Sequence, residues 1–290
     1  VERCLRAPKD AGWHGQAEMQ SAGRLRPHVP ILAMLALFLG LLLLAVFQTA
    51  GQANAVEAER SRAAVSTAMT ALAERTTGTT NDNANWDDAV VALYRAQPDF
   101  GLAERTWARG TADHLNYDEV HIVDQRGRTL WSAVDGNSIA PRAFGPAVLQ
   151  LTQHVDPRTK AAAGLLRLGG RAGDDVAMVG LGLIVPRTTA LGRLVPDAGP
   201  FRLIMVRRVT DRLLADIGRG LALDDLRVDG ASANREVLAV AGPNGMPAFT
   251  LTWVARSPGN EALIRAAPAL LVALLVFLGI CALIVRDTLS

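Results

Sequence analysis

The chain has 290 residues, half of them hydrophobic, only 5% aromatic and 20% charged, with a formal net charge of +2. The basic excess lies in residues 1–28, while residues 51–264 mix both signs and are close to neutral. That balance leaves no electrostatic footprint for nucleic acid or for a strongly acidic ligand. The two cysteines, Cys4 and Cys281, stand outside this central region, which therefore forms no disulfide of its own.

The hydrophobic residues are concentrated in two runs. Val29 to Phe47 carries no charged side chain, and as a helix it reaches about 28 Å, the thickness of a bilayer's hydrocarbon core. Pro30 suits the first turn, where its missing N–H costs nothing. Ala266 to Val285 is a second such run. The pattern reads as a tail at 1–28, a span at 29–50, a central domain at 51–264, a second span at 265–286, and at 287–290 the start of a further cytoplasmic region. Arg3, Arg6, Lys9, Arg24 and Arg26 precede the first span and place the N-terminus in the cytoplasm by the positive-inside rule. Ala53-Asn54-Ala55 resembles a signal-peptidase site, but the long tail and long apolar run favour a retained anchor. Neither apolar run, Val29–Phe47 or Ala266–Val285, contains an acidic or basic residue, which gives no sign of an ion pathway.

From Val56 the sequence is helical. Val65, Met69, Leu72, Thr76, Thr79, Asn83, Trp86, Val90 and Leu93 recur in alternating steps of four and three, the spacing of a helix seam. Gly78 and the Thr- and Asn-rich stretch around it are poor helix formers, so the expectation is one long helix with a loosened middle. Gln97-Pro98-Asp99 marks a stop, and a short helix is expected over Leu102–Leu115. Tyr117–Val134 reads as a hairpin turning at Gln125-Arg126-Gly127, with Val120 and Ile122 alternating against His121 and Val123. A helix is expected over Pro141–His154. Strands are expected at Leu165–Leu168, Val176–Val185 and Phe201–Val209, the second buried on both faces because it is apolar throughout. A helix over Asp211–Ile217 and a last hairpin follow, with Asn244-Gly245 at its turn and Phe249, Leu251 and Trp253 on one face. Hairpin, helix and three strands is the order of a PAS-like or Cache-like sheet. The expected fold class is α+β: an antiparallel sheet with a long N-terminal helix, bracketed by two transmembrane helices.

Three features together resemble the fourth class of CHASE domains, extracellular sensory modules of bacterial signalling proteins. Trp86-Asp87 stands in a helix after the first span. Tyr117 to Gly127 has the form Tyr-Asp-x-Val-x-x-Val-Asp-x-x-Gly. The Trp253 strand, followed by Pro258-Gly259, leads into the second span. The resemblance implies a signal-input region facing the periplasm, anchored in the bacterial inner membrane with both termini cytoplasmic. It also implies a cytoplasmic output of the GGDEF or EAL type, which makes or degrades cyclic di-GMP, or a histidine kinase. Its partners would be a small-molecule or protein signal, the lipid bilayer and a second copy of the chain, for which Ala36-x-x-x-Gly40 and Ala269-x-x-x-Ala273 permit close helix packing. A two-span protein that binds a periplasmic protein partner is the alternative.

Asn85, Trp86, Asp87, Tyr117 and Asp118 are the candidate ligand-binding residues. Asn81, Asp82, Asn83 and Asp88 extend the same polar cluster, although such residues also cap and solvate helices. His114, Asp118 and His121 lack the i, i+4 spacing of a helical zinc site, and no cofactor motif is present. Gly180-x-Gly182 lies in a strand without the third glycine of a dinucleotide fingerprint. Gly169–Gly173 reads as a turn and Arg207-Arg208 as a solvated strand end. No nucleophile pairs with a base at a readable spacing, so no catalytic residue is assigned.

Overall fold

The computed structural model describes residues 28–113, 116–168, 175–230, 235–242, 245 and 247–289. Its contacts divide the chain into two units, one formed by Val1–Glu57 with Arg256–Ser290 and the other by Ala58–Ala255.

In the first unit, helix α1 (His28–Ala84) begins and helix α6 (Pro258–Leu289) ends the described chain. Both are long and apolar enough to cross a membrane, and their most hydropathic stretches are exposed. Met34, Phe38, Val272 and Leu275 are among the large apolar side chains that face outward, as expected where the surrounding solvent is lipid. The two helices meet at Gly259. Any side chain there would collide with the Ala50 carbonyl oxygen. The Gly259 N–H, which has no partner within its own first helical turn, donates to Asn54 Oδ1 at 2.8 Å. Asn54 Nδ2 in turn donates to Asn260 Oδ1 at 3.1 Å.

The second unit is built on a six-stranded antiparallel sheet. Its strands are β1 (Glu119–Val123), β2 (Thr129–Val134), β3 (Asn137–Ile139), β4 (Ala161–Leu168), β5 (Asp175–Leu183) and β6 (Arg202–Arg208), in the order β3-β2-β1-β6-β5-β4. The opening hairpin thus lies beside the last strand of the β4–β5–β6 meander, the arrangement implied by the PAS-like order of elements. One face is covered by α1, by α2 (Asp87–Leu93), and by α3. The last is helical in three pieces, α at Gly101–Ala103, π at Glu104–Ala108 and α again at Arg109–Ala112. The other face is mainly aliphatic, with buried Glu119, His121 and Ser132 at one end, and is covered by α4 (Pro146–Gln150) with the 3-10 turn Leu151–His154, through Val148 and Leu151. Beyond β6, α5 (Asp211–Gly220) leads to a small sheet of β7 (Arg227–Val228), β8 (Arg235–Ala241) and β9 (Pro247–Val254), ordered β7-β9-β8. Phe249, Leu251 and Trp253 share its buried face as expected, packing with Val65 and Met69 of α1. Trp253 Nε1 donates to Ser61 Oγ at 3.3 Å.

Several sequence expectations are corrected by packing. α1 does run unbroken through Gly78, but its buried stripe there is Thr76, Thr80 and Ala84 rather than Thr79 and Asn83. Glycines on β5 explain the shift. A side chain at Gly180 would collide with the Thr80 hydroxyl and lie 3.0 Å from Thr76 Cγ2, and one at Gly182 would lie 2.8 Å from Ala84 Cβ. The Gly-x-Gly of β5 is a groove for a helix. The helix expected from Pro141 begins at Pro146, with Gly145 extended before it (ψ 162°), the geometry favoured in a residue that precedes proline. β4 starts at Ala161, and its alanines and Gly164 are strand by virtue of their ladder with β5. β1 is buried at all five positions rather than alternately. The expectations for the N-terminal tail, His114, Leu115, Gly169–Gly173 and Asn244 lie outside the described residues.

Candidate functional site

α1 ends at Ala84, and Trp86 adopts an extended conformation (φ −143°, ψ 123°) before α2 begins at Asp87. The Asp87 carboxylate ties this break to the segment after β5. It accepts from Arg187 N at 2.7 Å, from Thr188 N at 3.1 Å and from the Thr188 hydroxyl, while Arg187 Nε donates to the Asn85 carbonyl at 2.6 Å. The Thr188 hydroxyl, then the backbone amides and the Arg187 charge, hold the Asp87 carboxyl below its ordinary pKa. Asp87→Ala is therefore expected to speed amide hydrogen exchange at Arg187 and Thr188. Because the folded pKa is depressed, wild-type protection from this contact should be full above the ordinary carboxylate value and be lost progressively as pH falls below it toward the folded pKa. Unchanged exchange in the variant would show that Asp87 does not hold this segment.

Behind the break lies an aromatic cluster. Trp86 is half-buried and meets Trp107 edge-on, with ring centroids 6.4 Å apart at 65°. Tyr117 rests on Gly110, where any side chain would lie 2.7 Å from its Cζ, and donates to the Trp107 carbonyl at 3.3 Å. Burial, with a smaller push from Asp113, raises the Tyr117 pKa. Tyr94 stacks on Phe201 at 4.8 Å and donates to the Ile184 carbonyl at 2.7 Å. With Trp131 and Phe100, the cluster takes three of the chain's five tryptophans and both tyrosines. Two buried polar atoms border it without a partner among the described residues, Trp107 Nε1 and Asn85 Oδ1. Trp107 is carried by the π-helical turn of α3 and is 1% exposed.

Four of the five candidate residues, Asn85, Trp86, Asp87 and Tyr117, thus border one cluster. Asp118 does not join them. Its Oδ2 accepts from Arg208 N at 2.7 Å, and it lines an open cleft of about 500 Å³ with Arg207, Arg208 and Arg212. The rest of the Tyr117–Gly127 motif shapes the turn. Asp124 Oδ1 accepts from the amides of Arg126 and Arg128 at 3.0 and 2.8 Å, and Gly127 takes the left-handed conformation (φ 84°) that glycine adopts without strain.

A second polar cluster was not among the candidates. Glu119 on β1 is 1% exposed and holds Arg208 at 2.6 Å, His121 Nε2 at 3.2 Å and Arg142 at 3.5 Å. His121, itself buried, pairs its Nδ1 with Ser132 Oγ at 2.9 Å and stands edge-on to Phe144. Burial alone would raise the Glu119 pKa, but the hydrogen bonds and charges of His121 and Arg208 outweigh it and bring the group to about 2. Arg208 is therefore an ion-pair partner rather than a solvated strand end. The i, i+2 spacing of Glu119 and His121 on a strand was the one signal of this cluster in the sequence.

Residues 68–229 match the CHASE4 domain. No curated protein matches the chain. Among solved structures it is similar to the periplasmic domain of Vibrio cholerae LuxQ, at 11% identity and a TM-score of 0.41, covering 68% of this chain and 98% of that one. It is also similar to the extracellular domain assigned to a histidine kinase, vpHK1S-Z8, at 10% identity and a TM-score of 0.35, covering 76% and 98%. The domain match spans more than half of the sequence and contains both the Trp86-Asp87 break and the Tyr117–Gly127 turn, and the chain belongs to the CHASE4 family of sensor domains.

Proposed function

We propose that this chain is the signal-input region of a bacterial inner-membrane receptor, with Ala58–Ala255 in the periplasm, both termini in the cytoplasm, and an output that makes or degrades cyclic di-GMP. One observation carries the reading. α1 is a single uninterrupted helix from His28 to Ala84, and its last turns are seated on the Gly180 and Gly182 backbone of β5. A signal that binds one arrangement of the sensor better than another shifts the population of that helix's positions. Because the helix continues into an apolar span, the shift is available on the far side of the membrane.

Two measurements test this. Protease added to intact spheroplasts should digest the Ala58–Ala255 unit and spare the N-terminal tail; the reverse pattern would invert the topology. Deleting the gene and restoring it should change the cellular cyclic di-GMP level in opposite directions. An unchanged level, together with a reading frame continuing into a kinase, would replace the cyclic di-GMP output with phosphotransfer.

A further inference from the structure

The two faces of the main sheet differ in chemistry. The face under α4 carries an aliphatic cluster of valine, leucine, isoleucine and alanine, with the internally paired Glu119–His121–Ser132 group and Phe144 beside it. The face under α2 and α3 gathers most of the chain's tryptophan and all of its tyrosine. On that second face stands a buried indole N–H, and next to Trp86 in the chain a buried amide oxygen, each without a partner among the described residues. Leaving such groups unsatisfied is costly, so native structures retain few of them, and each calls for an explanation. The donor sits on a π-helical turn, a feature frequent at functional sites. The acceptor sits at the break between α1 and α2, beside the half-buried Trp86.

From this arrangement we infer that the aromatic cluster is the ligand site of the sensor. It takes a small, uncharged, flat molecule that accepts a hydrogen bond from Trp107 Nε1 and donates one to Asn85 Oδ1. The inference rests on the sensor reading above and adds the class of ligand. Aromatic walls at Trp86, Trp107 and Tyr117 favour a flat apolar body, as mostly apolar pockets with a few placed polar groups do. Charge is disfavoured because the ionic groups at the break are engaged with one another. Asp87 is held by the amides of Arg187 and Thr188, and Arg187 by the Asn85 carbonyl. A charged ligand would be buried there without a counter-ion, which costs far more than burying a neutral one. The site adjoins the last turn of α1, so occupation would bear directly on the helix that runs toward the membrane.

The test is binding of benzamide and phenol to the whole chain in lipid nanodiscs, read by calorimetry and by tryptophan emission. Benzoate and ethylbenzene serve as the charged and the purely apolar comparison. Benzamide and phenol should bind saturably and at least about tenfold more tightly than either comparison, the loss expected when a buried polar group is left unmet. Asn85→Ala and Trp107→Phe should each weaken benzamide by a similar factor, and Trp253→Phe, which alters the small sheet instead, should not. Asn85 is half-buried, so its variant keeps the test valid if Trp107→Phe fails to fold. If neither neutral probe binds saturably, the two groups are met by water and the inference falls. It falls equally if all four probes bind alike and the variants change nothing. Neither result bears on the cyclic di-GMP experiment, which uses the cell's own signal, so the ligand class and the receptor role can fail separately.

Discussion

Gly180→Ala should lower the thermal midpoint of the Ala58–Ala255 unit by about 6–12 °C, although it adds a single methyl group. The new methyl would collide with the Thr80 hydroxyl and sit 3.0 Å from Thr76 Cγ2. Both neighbours are β-branched side chains on a helix, stiff at χ1, so the strain passes to the backbones of α1 and β5. Overpacking of this kind costs about 1–3 kcal/mol. The upper end applies here, because Thr80 is fully buried and already packs closely on both Gly180 and Gly182. For a domain of this size each kcal/mol is worth about 2–4 °C. The companion variant separates this account from a general intolerance of β5. Thr80 Oγ1 is buried without a partner among the described residues, so Thr80→Ala should be close to neutral. In the double variant the two alanines fit together, and most of the lost stability should return. Additive losses in that cycle would mean that helix and strand do not meet through these residues.

The same contact shows how far the sequence could be read. The two apolar runs, the hairpin, the order of strands and the buried face of β9 follow from hydrophobic periodicity and turn residues, which are local signals. The position of α1's buried stripe is not local. From its own sequence the helix presents a four-and-three seam through Thr79 and Asn83. It is turned instead toward Thr80 and Ala84 because two glycines about a hundred residues later leave a groove there, and a glycine pair in a strand carries no label for what fills it. Trp86, Asp87 and Tyr117 could be singled out through the motifs that resemble the CHASE domains, although the sequence put Trp86 inside one continuous helix and the structure breaks the helix there. Trp107 could not, because its inward aim depends on a π-helical turn that breaks the 3.6-residue period used to find buried faces. The Glu119 cluster was hidden for a further reason. Arg142 and Arg208 reach it across the sheet from separate elements, and within β1 the run Glu-Val-His-Ile-Val imitates an alternating half-exposed strand.

That cluster should dominate the acid limb of stability. Glu119 is buried with its carboxylate held by Arg208, His121 and Arg142. Removing one member of a buried pair costs about 3–5 kcal/mol. The lower end is expected for Glu119→Gln, because the Arg208 and Arg142 side chains are 43% and 42% exposed and recover hydration when the carboxylate is gone. At neutral pH the variant should therefore melt about 6–12 °C below the wild type. The pH dependence carries the sharper test. The folded pKa of Glu119 is depressed to about 2, against about 4.3 for an unperturbed glutamate. Its contribution is then fully present above the unfolded value and is lost as pH falls through the window down to about 2. Glutamine has no proton to take up, so wild type and variant should converge across that window and stay a constant distance apart above about pH 5. Melting curves at a series of pH values between 2 and 7 measure this directly. A gap that stays the same down to pH 2 would mean that the ion pairs of Glu119 contribute nothing and that only its shape is needed. A gap that closes would identify one buried carboxylate as the main acid-labile tie between the opening hairpin and the last strand of the sheet.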